Sequence, residues 1–315
     1  MAACVVPGSA NRALALAVAD RLGTGPTACE IERFPDGELR PVVEGVRGED
    51  VYVVQPTGPP VNEHLVELLL LVDACRRAGA ERITAVVPYF GYARQDRRLL
   101  EGEAVGARVC AEALAAGGAD RLVVVDPHTA ALEAMCSIPV EMLTALPLLA
   151  TAIGEIVPGE AVVVAPDLGA AKLAERHAAT SRRGVAIVRK ARVSGEAVHA
   201  SELIGDVAGR PAVIVDDMIT TGATIEAAVG VLRAHGGTDM TVAATHGVLT
   251  AGAAERIAAL GVGRVLVTDT LAVAPGPTPA RPAIGLQVCS VAPLLAEALG
   301  RLHQGEPLGD LRLVV

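Results

Sequence analysis

The sequence predicts an α/β fold built from two doubly wound, mainly parallel sheets. Short β-branched apolar runs alternate with Ala- and Leu-rich helical stretches, and this alternation occurs twice along the 315 residues. Continuous apolar runs separated by helices are typical of parallel strands that are buried on both faces. This length suffices for two domains, and we expect an N-terminal domain at 1–145 and a C-terminal domain at 146–315.

The predicted elements follow from these patterns, taken in chain order. The expected strands are Val51–Gln55, Ile83–Pro88, Leu122–Asp126, Ala161–Ala165, Val185–Val188, Ala212–Val215, Thr241–Thr245 and Arg264–Thr268. The expected helices are Asn62–Ala78, Val105–Gly117, Gly169–Ala179, Thr224–His235, Ala251–Ala259 and Val291–Leu302. The stretch Ala272–Pro282 is expected to be a Pro-rich loop, and the last helix is a candidate to pack back on the first domain.

Composition excludes several classes of protein. With 51% hydrophobic and 20% charged residues the chain is not globally disordered, and a net charge of −9 excludes a uniformly basic nucleic-acid surface. The six cysteines show neither CxxC nor Cys/His ligand spacing, which favours a reducing cytoplasm over a zinc site or a disulfide framework. No apolar run is long enough to cross a bilayer and no signal peptide is recognisable, so we expect no nucleic-acid or membrane partner.

The sharpest motif is AVIVDDMITTGAT at 212–224. An apolar strand ends in Asp216 and Asp217, whose carboxylates can accept hydrogen bonds from vicinal ribose hydroxyls. The following loop, Thr220–Thr224, opens a helix, where unpaired amides and the helix dipole favour a phosphate. The alternative is an ordinary Thr/Asp helix cap. The absence of a lysine excludes a P-loop.

This segment resembles the phosphoribosyl pyrophosphate (PRPP) motif of the type I phosphoribosyltransferase fold. In its order and spacing the whole chain resembles the ribose-phosphate diphosphokinase, or PRPP synthetase, family. The further matching motifs are FPDGE at 34–38, QPTGPPVNE at 55–63, PYFGYARQDR at 88–97, DPH at 126–128, TALPLL at 144–149 and APDLG at 165–169.

The resemblance implies an ATP site, a ribose 5-phosphate site, Mg²⁺ as cofactor and a homohexamer built from dimers. The implied ATP-binding residues are Phe34, Asp36, Gly37 and Glu38 from a neighbouring subunit, with Arg94, Gln95, Asp96 and His128. The implied ribose 5-phosphate residues are Asp167, Arg192, Asp216, Asp217, Thr220, Thr221, Gly222, Ala223 and Thr224. His128 and Asp167 match the metal-associated positions, and Lys190 and Arg192 match a mobile catalytic loop.

Each assignment has a simpler alternative in the residues themselves. PDG at 35–37 is a strong turn signal, and Arg94 fits a solvated loop arginine. His128 is a weak ligand for Mg²⁺ and equally fits a phosphate contact, whereas the Asp167 carboxylate suits the metal better. Lys190 and Arg192 fit a basic hairpin in solvent.

The implied reaction is transfer of the β,γ-diphosphoryl group of Mg-ATP to the C1 hydroxyl of ribose 5-phosphate. The alternatives are a catalytically silent regulatory subunit of the same family and a nucleobase phosphoribosyltransferase, which would leave the first domain unexplained. Two loop residues depart from the family pattern, since Thr220 replaces an Asp and Ala223 replaces a Gly. If Ala223 adopts a positive φ, we expect strain there that a glycine would avoid.

Overall fold

The computed structural model describes residues 1–193, 198–250, 252–272 and 285–313, which form two compact units. Unit 1 contains described residues 1–145, 270–272 and 290–313. Unit 2 contains described residues 146–193, 198–250, 252–269 and 285–289. The last helix therefore belongs to unit 1.

The strands are numbered along the chain. They are β1 (Ala3–Pro7), β2 (Cys29–Arg33), β3 (Leu39–Val43), β4 (Asp50–Val54), β5 (Arg82–Val87), β6 (Arg121–Val125), β7 (Val140–Leu143), β8 (Val162–Ala165), β9 (Gly184–Val193), β10 (Val198–Ile204), β11 (Ala212–Ile219), β12 (Met240–Gly247), β13 (Arg264–Thr268) and β14 (Gly285–Cys289).

The helices are numbered in the same way. They are α1 (Arg12–Arg21), α2 (Val61–Ala78), α3 (Gly106–Gly117), α4 (Leu132–Met135), α5 (Leu146–Ile156), α6 (Ala171–Ser181), α7 (Ala223–Ala234), α8 (Ala253–Ala259) and α9 (Ala292–Gln304). A short 3₁₀ helix follows at Gly309–Leu311. Within the described residues, no helix is long and apolar enough to cross a membrane.

Unit 1 is built on a parallel sheet with strand order β1-β4-β5-β6-β7. Alternate residues of a strand face opposite sides of a sheet. In β4, Val51 and Val53 pack in one cluster with residues of α2, while the hydroxyl of Tyr52 lies 3.5 Å from the carbonyl oxygen of Leu299 in α9. Helices therefore cover both faces. The antiparallel hairpin β2–β3 forms a separate small sheet.

Unit 2 is built on a larger sheet with strand order β10-β9-β8-β11-β12-β13-β14. All its neighbouring pairs are parallel except β9 and β10. In β11, Ile214 packs in the cluster that contains residues of α7 and α8, whereas Val213 and Val215 pack in the cluster that contains residues of α5 and α6. The sheet is therefore doubly wound, and the fold class predicted from the sequence is confirmed.

The predicted strands and helices all occur, with bounds that shift by a few residues. One prediction is wrong in its extent, because the strand expected at Val185–Val188 continues as β9 to Val193. Its residues from Ile187 to Val193 pair with β10, with Val193 opposite Val198 and Ile187 opposite Ile204. Lys190 and Arg192 therefore lie on the backbone of a strand and not in a loop. Most of the Pro-rich loop expected at Ala272–Pro282 lies outside the described residues.

Candidate functional site

The carboxyl ends of the parallel strands β8 and β11 bring three acidic residues of unit 2 together. Asp216 and Asp217 lie near the end of β11, and the Asp216 Oδ1 atom accepts a hydrogen bond from the amide of Asp217 at 2.9 Å. Asp167 follows the neighbouring strand β8. Burial, the adjacent carboxylate of Asp217 and the charge of Asp167 together raise the pKa of Asp216. Negative charge is therefore unfavourable at Asp216 as the site stands, and a bound cation or hydroxyl donors would relieve the repulsion between these carboxyl groups.

This donor set fits Mg²⁺. Asp167 accepts hydrogen bonds at its Oδ1 atom from the amides of Gly169 at 2.8 Å and Ala170 at 3.2 Å, which fixes the carboxylate in place. Mg²⁺ prefers hard oxygen ligands and is usually held by one or two carboxylates together with substrate phosphates and water. Among the described residues no cluster of three His, Cys, Asp or Glu side chains could hold a metal by itself. A magnesium ion here would need substrate oxygens as further ligands.

The threonine loop after β11 presents backbone amides at the N-terminus of α7. Gly222 adopts a left-handed conformation, with φ 77°, and is the N-cap residue. Thr221 and Gly222 donate no backbone N–H hydrogen bond to any described residue. Such amides, together with the helix dipole, form an anion site. The positive φ falls on Gly222, whereas Ala223 is the first helical residue, so the strain considered for Ala223 does not arise.

The segment that follows the neighbouring strand β12 donates hydrogen bonds to backbone carbonyl groups at the start of this loop. The amide and the Oγ1 atom of Thr250 both donate to the carbonyl oxygen of Thr220 at 3.1 Å, and the amide of Leu249 donates to that of Ile219 at 2.9 Å. Thr250 was not predicted as a site residue. Its signal in the sequence is its place just beyond the predicted strand Thr241–Thr245, on the same side of the sheet as the other polar loops.

The ATP-site candidates of unit 1 lie on the loops that follow β5 and β6. Arg97 donates to both carboxylate oxygens of Asp96, at 2.9 and 3.2 Å. This contact, with a hydrogen bond from Thr129 and the nearby His128, lowers the pKa of Asp96 despite partial burial. The two loops are thus brought together. Thr129, which was not predicted as a site residue, follows His128 directly in the sequence.

Arg94 and Gln95 stand beside this pair and are exposed. The amide of Gln95 donates to the carbonyl oxygen of Tyr92 at 2.8 Å, and the carbonyl oxygen of Gln95 accepts from the amide of Ala107 at 3.2 Å, which fixes the backbone of the loop. The guanidinium of Arg94 has no hydrogen-bond or ion-pair partner among the described residues. Arg94 is therefore a cation available to a phosphate or to a base.

The FPDGE segment forms the tip of the β2–β3 hairpin. The amide of Phe34 donates to the Glu38 carbonyl oxygen at 2.8 Å, and the amide of Glu38 donates to the Asp36 Oδ1 atom at 3.1 Å. Gly37 has φ 98°, a conformation that glycine adopts without steric cost. The predicted turn is present, and the Asp36 and Glu38 side chains are exposed at its tip. The Arg40 guanidinium lies 5.4 Å from the centre of the Phe34 ring.

Lys190 and Arg192 belong to the β9–β10 hairpin of unit 2. Their backbones pair with Ser201 and His199 respectively. Their side chains lie outside the part of the chain that the structure describes. Arg189 lies on the same strand, and its Nε atom is 3.8 Å from the Glu202 carboxylate.

Two family models match the chain. The N-terminal domain of ribose phosphate pyrophosphokinase matches residues 3–118, and the phosphoribosyl synthetase-associated domain matches residues 194–312. The two matches together cover most of the chain and include residues of both units.

Curated relatives and a solved structure agree with these matches. The ribose-phosphate pyrophosphokinase of Gloeobacter violaceus is 41% identical over 306 residues, covering 96% of this chain and 91% of that protein. The enzyme of the same name from Parasynechococcus marenigrum is 40% identical over 309 residues, covering 96% and 92%. The crystal structure of phosphoribosylpyrophosphate synthetase from Mycobacterium smegmatis superposes with a TM-score of 0.88 at 36% identity, covering 97% of this chain and all of that one.

Proposed function

The chain belongs to the ribose-phosphate pyrophosphokinase family of transferases, and on this basis we propose that it makes PRPP and AMP from ATP and ribose 5-phosphate. In this reaction the C1 hydroxyl oxygen of the sugar attacks the β-phosphorus of ATP. The bond between the β-phosphorus and the oxygen that bridges it to the α-phosphate breaks, the hydroxyl proton is released, and AMP leaves.

The observation that carries the proposal is the pairing of partly buried acids with a threonine loop at the carboxyl ends of neighbouring strands. Asp216 and Asp217 would accept hydrogen bonds from the ribose hydroxyls. The free amides of Thr221 and Gly222, with the hydroxyls of Thr220, Thr221 and Thr224, would receive the 5-phosphate at the start of α7. Ala223, the first residue of the helix, would contribute its backbone.

The loops after β5 and β6 would hold the nucleotide. Arg94 offers a planar cation suited to a phosphate or to stacking on adenine, and Gln95 offers an amide. Asp96 and His128 would complete this site. The exposed tip of the β2–β3 hairpin, with Phe34, Asp36, Gly37 and Glu38, would be supplied to it by a neighbouring copy of the chain, which makes the enzyme a homo-oligomer in this proposal.

Mg²⁺, when bound, would neutralise charge on the ATP phosphates and polarise the β-phosphoryl group. Asp167 would be its principal protein ligand, and His128 would lie close to the phosphates. Lys190 and Arg192 would stabilise the charge that grows on the transferring group, because phosphoryl transfer depends mainly on positioning and electrostatics. All six cysteines are free, which supports our proposal of a cytoplasmic location.

The test is AMP release by the full chain with ATP, Mg²⁺ and ribose 5-phosphate. We expect AMP to form only when the sugar phosphate is present. Asp217→Asn should raise the KM for ribose 5-phosphate by at least about tenfold, since the Asp217 carboxylate carries the charge beside Asp216 and a hydrogen bond to a charged group contributes about 1.5–3 kcal/mol. The control is Asp206→Asn, which changes an exposed carboxylate that accepts from the amide of Ala208.

Two results would overturn the proposal. A chain that releases no AMP, yet raises the activity of an active family member on mixing, would be a silent regulatory subunit. A chain that consumes PRPP with a nucleobase instead would be a phosphoribosyltransferase.

A further inference from the structure

The carbonyl oxygen of Thr220 accepts two hydrogen bonds from one residue. Both the backbone amide and the Oγ1 atom of Thr250 lie 3.1 Å from it. One residue earlier, the amide of Leu249 donates to the carbonyl oxygen of Ile219 at 2.9 Å. The last carbonyl group of β11 and the first of the threonine loop are therefore held by the segment that follows β12.

This arrangement fixes the direction of the loop amides. In a trans peptide group the C=O and N–H bonds lie in one plane and point in opposite directions. When the Ile219 and Thr220 carbonyls point toward residues 249–250, the N–H groups of Thr220 and Thr221 point away from them. Consecutive amides that face one side form a concavity that binds anions.

The same segment is tied to the helix that the loop opens. Arg256 in α8 contacts Glu226 in α7, with 3.1 Å between Nη1 and Oε2. Ile257 packs against Gly222 so closely that a Cβ atom at that glycine would lie 3.2 Å from its Cγ1 atom. Thr250 and α8 therefore contact the loop at two points, Thr250 at its start and Ile257 near its end.

From these contacts we propose that Thr250 is a positioning residue, whose hydroxyl holds the Thr220 peptide so that the loop amides face the phosphate of a sugar phosphate. This inference rests on the proposed function, since it assigns that phosphate to ribose 5-phosphate. Thr250 itself does not touch the substrate in this arrangement. Its effect passes through the orientation of one peptide group.

The effect of the Thr250 hydroxyl can be separated from the effect of side-chain size. Thr250→Val keeps the shape and the backbone amide bond but removes the Oγ1 donor, whereas Thr250→Ser keeps the donor. One neutral hydrogen bond contributes about 1 kcal/mol, which corresponds to about a fivefold change in an equilibrium constant. We therefore expect Thr250→Val to weaken ribose 5-phosphate binding about fivefold and Thr250→Ser to restore it to within about twofold.

The experiment measures ribose 5-phosphate binding by calorimetry without nucleotide, and then the KM values for ribose 5-phosphate and for ATP. The control is Thr151→Val in α5, which removes an exposed hydroxyl that donates to the Pro147 carbonyl oxygen at 2.9 Å. The expected pattern is weaker sugar phosphate binding and a higher KM for it in Thr250→Val alone, with the KM for ATP unchanged and the unfolding temperature lowered no more than in Thr151→Val.

Each other result counts against the inference. Equal losses in the Val and Ser variants would assign the effect to side-chain shape, and a parallel rise in both KM values or a large fall in unfolding temperature would assign it to general structure. Binding in Thr250→Val equal to that of the parent would show that the amide bond suffices. A parent chain that binds ribose 5-phosphate but releases no AMP would overturn the proposed reaction while the Thr250 comparison still stands, and a parent that does not bind it would overturn both.

Discussion

At the scale of single residues, Lys190 tests the proposed chemistry most directly. The chain carries a net charge of −9, so the negative charge of two phosphorylated substrates must be offset by local cations. We expect Lys190→Ala to lower turnover by at least about 10²–10³-fold, the usual effect of removing one preorganised electrostatic contact. The KM values should change far less, because such a contact strengthens in the transition state.

The matched control for this prediction is the neighbouring residue of the same strand. Arg189→Ala removes a half-exposed cation that lies near Glu202, and we expect it to leave turnover within about twofold, because surface ion pairs contribute little energy. Steady-state AMP release measures both variants. Turnover of Lys190→Ala within about threefold of the parent would remove Lys190 from the mechanism.

The buried residue His177 gives a second prediction, which concerns how folding stability depends on pH. Its side chain is buried in α6 and its Nδ1 atom has no hydrogen-bond partner among the described residues. Burial, with a smaller contribution from Arg176, lowers the pKa of His177 to about 4. Protonation therefore favours the unfolded chain, in which histidine titrates near its ordinary pKa of about 6.5.

The sign of the pH dependence follows from this difference. As the pH falls from about 6.5 toward 4, the unfolded state binds a proton that the folded state does not, and stability falls. At pH 5 the loss from this group amounts to about 2 kcal/mol relative to neutral pH. We expect His177→Leu to lose less stability than the parent between pH 7 and pH 5, as measured by urea unfolding. Replacement of the exposed His235 by Asn serves as control, and an identical loss in the parent and His177→Leu would contradict the assignment.

At the scale of elements, the start of α7 shows how a loop can depart from a family pattern without strain. The left-handed conformation belongs to Gly222, and Ala223 already lies in the helix. We expect Ala223→Gly to lower the free energy of unfolding by about 0.5–1 kcal/mol, because glycine loses more backbone entropy on folding. No rise in AMP release should accompany it. Higher activity in this variant would mean that alanine degrades the loop.

Gly222→Ala is the companion variant in this element. It places a Cβ atom on a residue with φ 77° and 3.2 Å from Ile257, so it should be the more harmful of the two. Chemical denaturation of both variants beside the parent measures the difference. Equal stability losses would show that the left-handed residue is not the constraint.

At the scale of the whole molecule, the proposed ATP site is shared between copies of the chain. The tip of the β2–β3 hairpin is exposed, and its Asp36 and Glu38 carboxylates are at the surface. We expect an oligomer, a hexamer built from dimers, in light scattering at micromolar concentration. A fully active monomer would exclude a shared site.

A complementation experiment tests whether two copies of the chain contribute to one active site. The double variant Asp36→Ala/Glu38→Ala and the variant Lys190→Ala should each have low activity alone. Mixed oligomers would contain sites that combine an intact hairpin tip from one copy with an intact Lys190 from another, so co-expression of the two should recover part of the parent activity. If mixed oligomers form but show no recovered activity, the hairpin tip and Lys190 of each active site come from the same copy of the chain.

The sequence by itself determined the fold class and the family. Short apolar runs such as Ala212–Val215 that alternate with helical stretches are typical of strands buried on both faces of a parallel sheet, and the polar residues that follow such strands gather at one edge. Asp167, Asp216 and Asp217 could be assigned to this edge because the end of a strand is a local property. The ordered motifs identified the family in the same way.

Only the tertiary structure decided the backbone conformation and the hydrogen bonds of these site residues. Which loop residue takes the left-handed conformation, Gly222 and not Ala223, depends on where α7 begins. That Thr250 holds the Thr220 carbonyl depends on β12 lying beside β11 in the sheet. That Lys190 lies in a strand depends on its pairing with β10. These facts rest on hydrogen bonds and packing between distant parts of the chain, and local sequence patterns carry information only about neighbours along the chain.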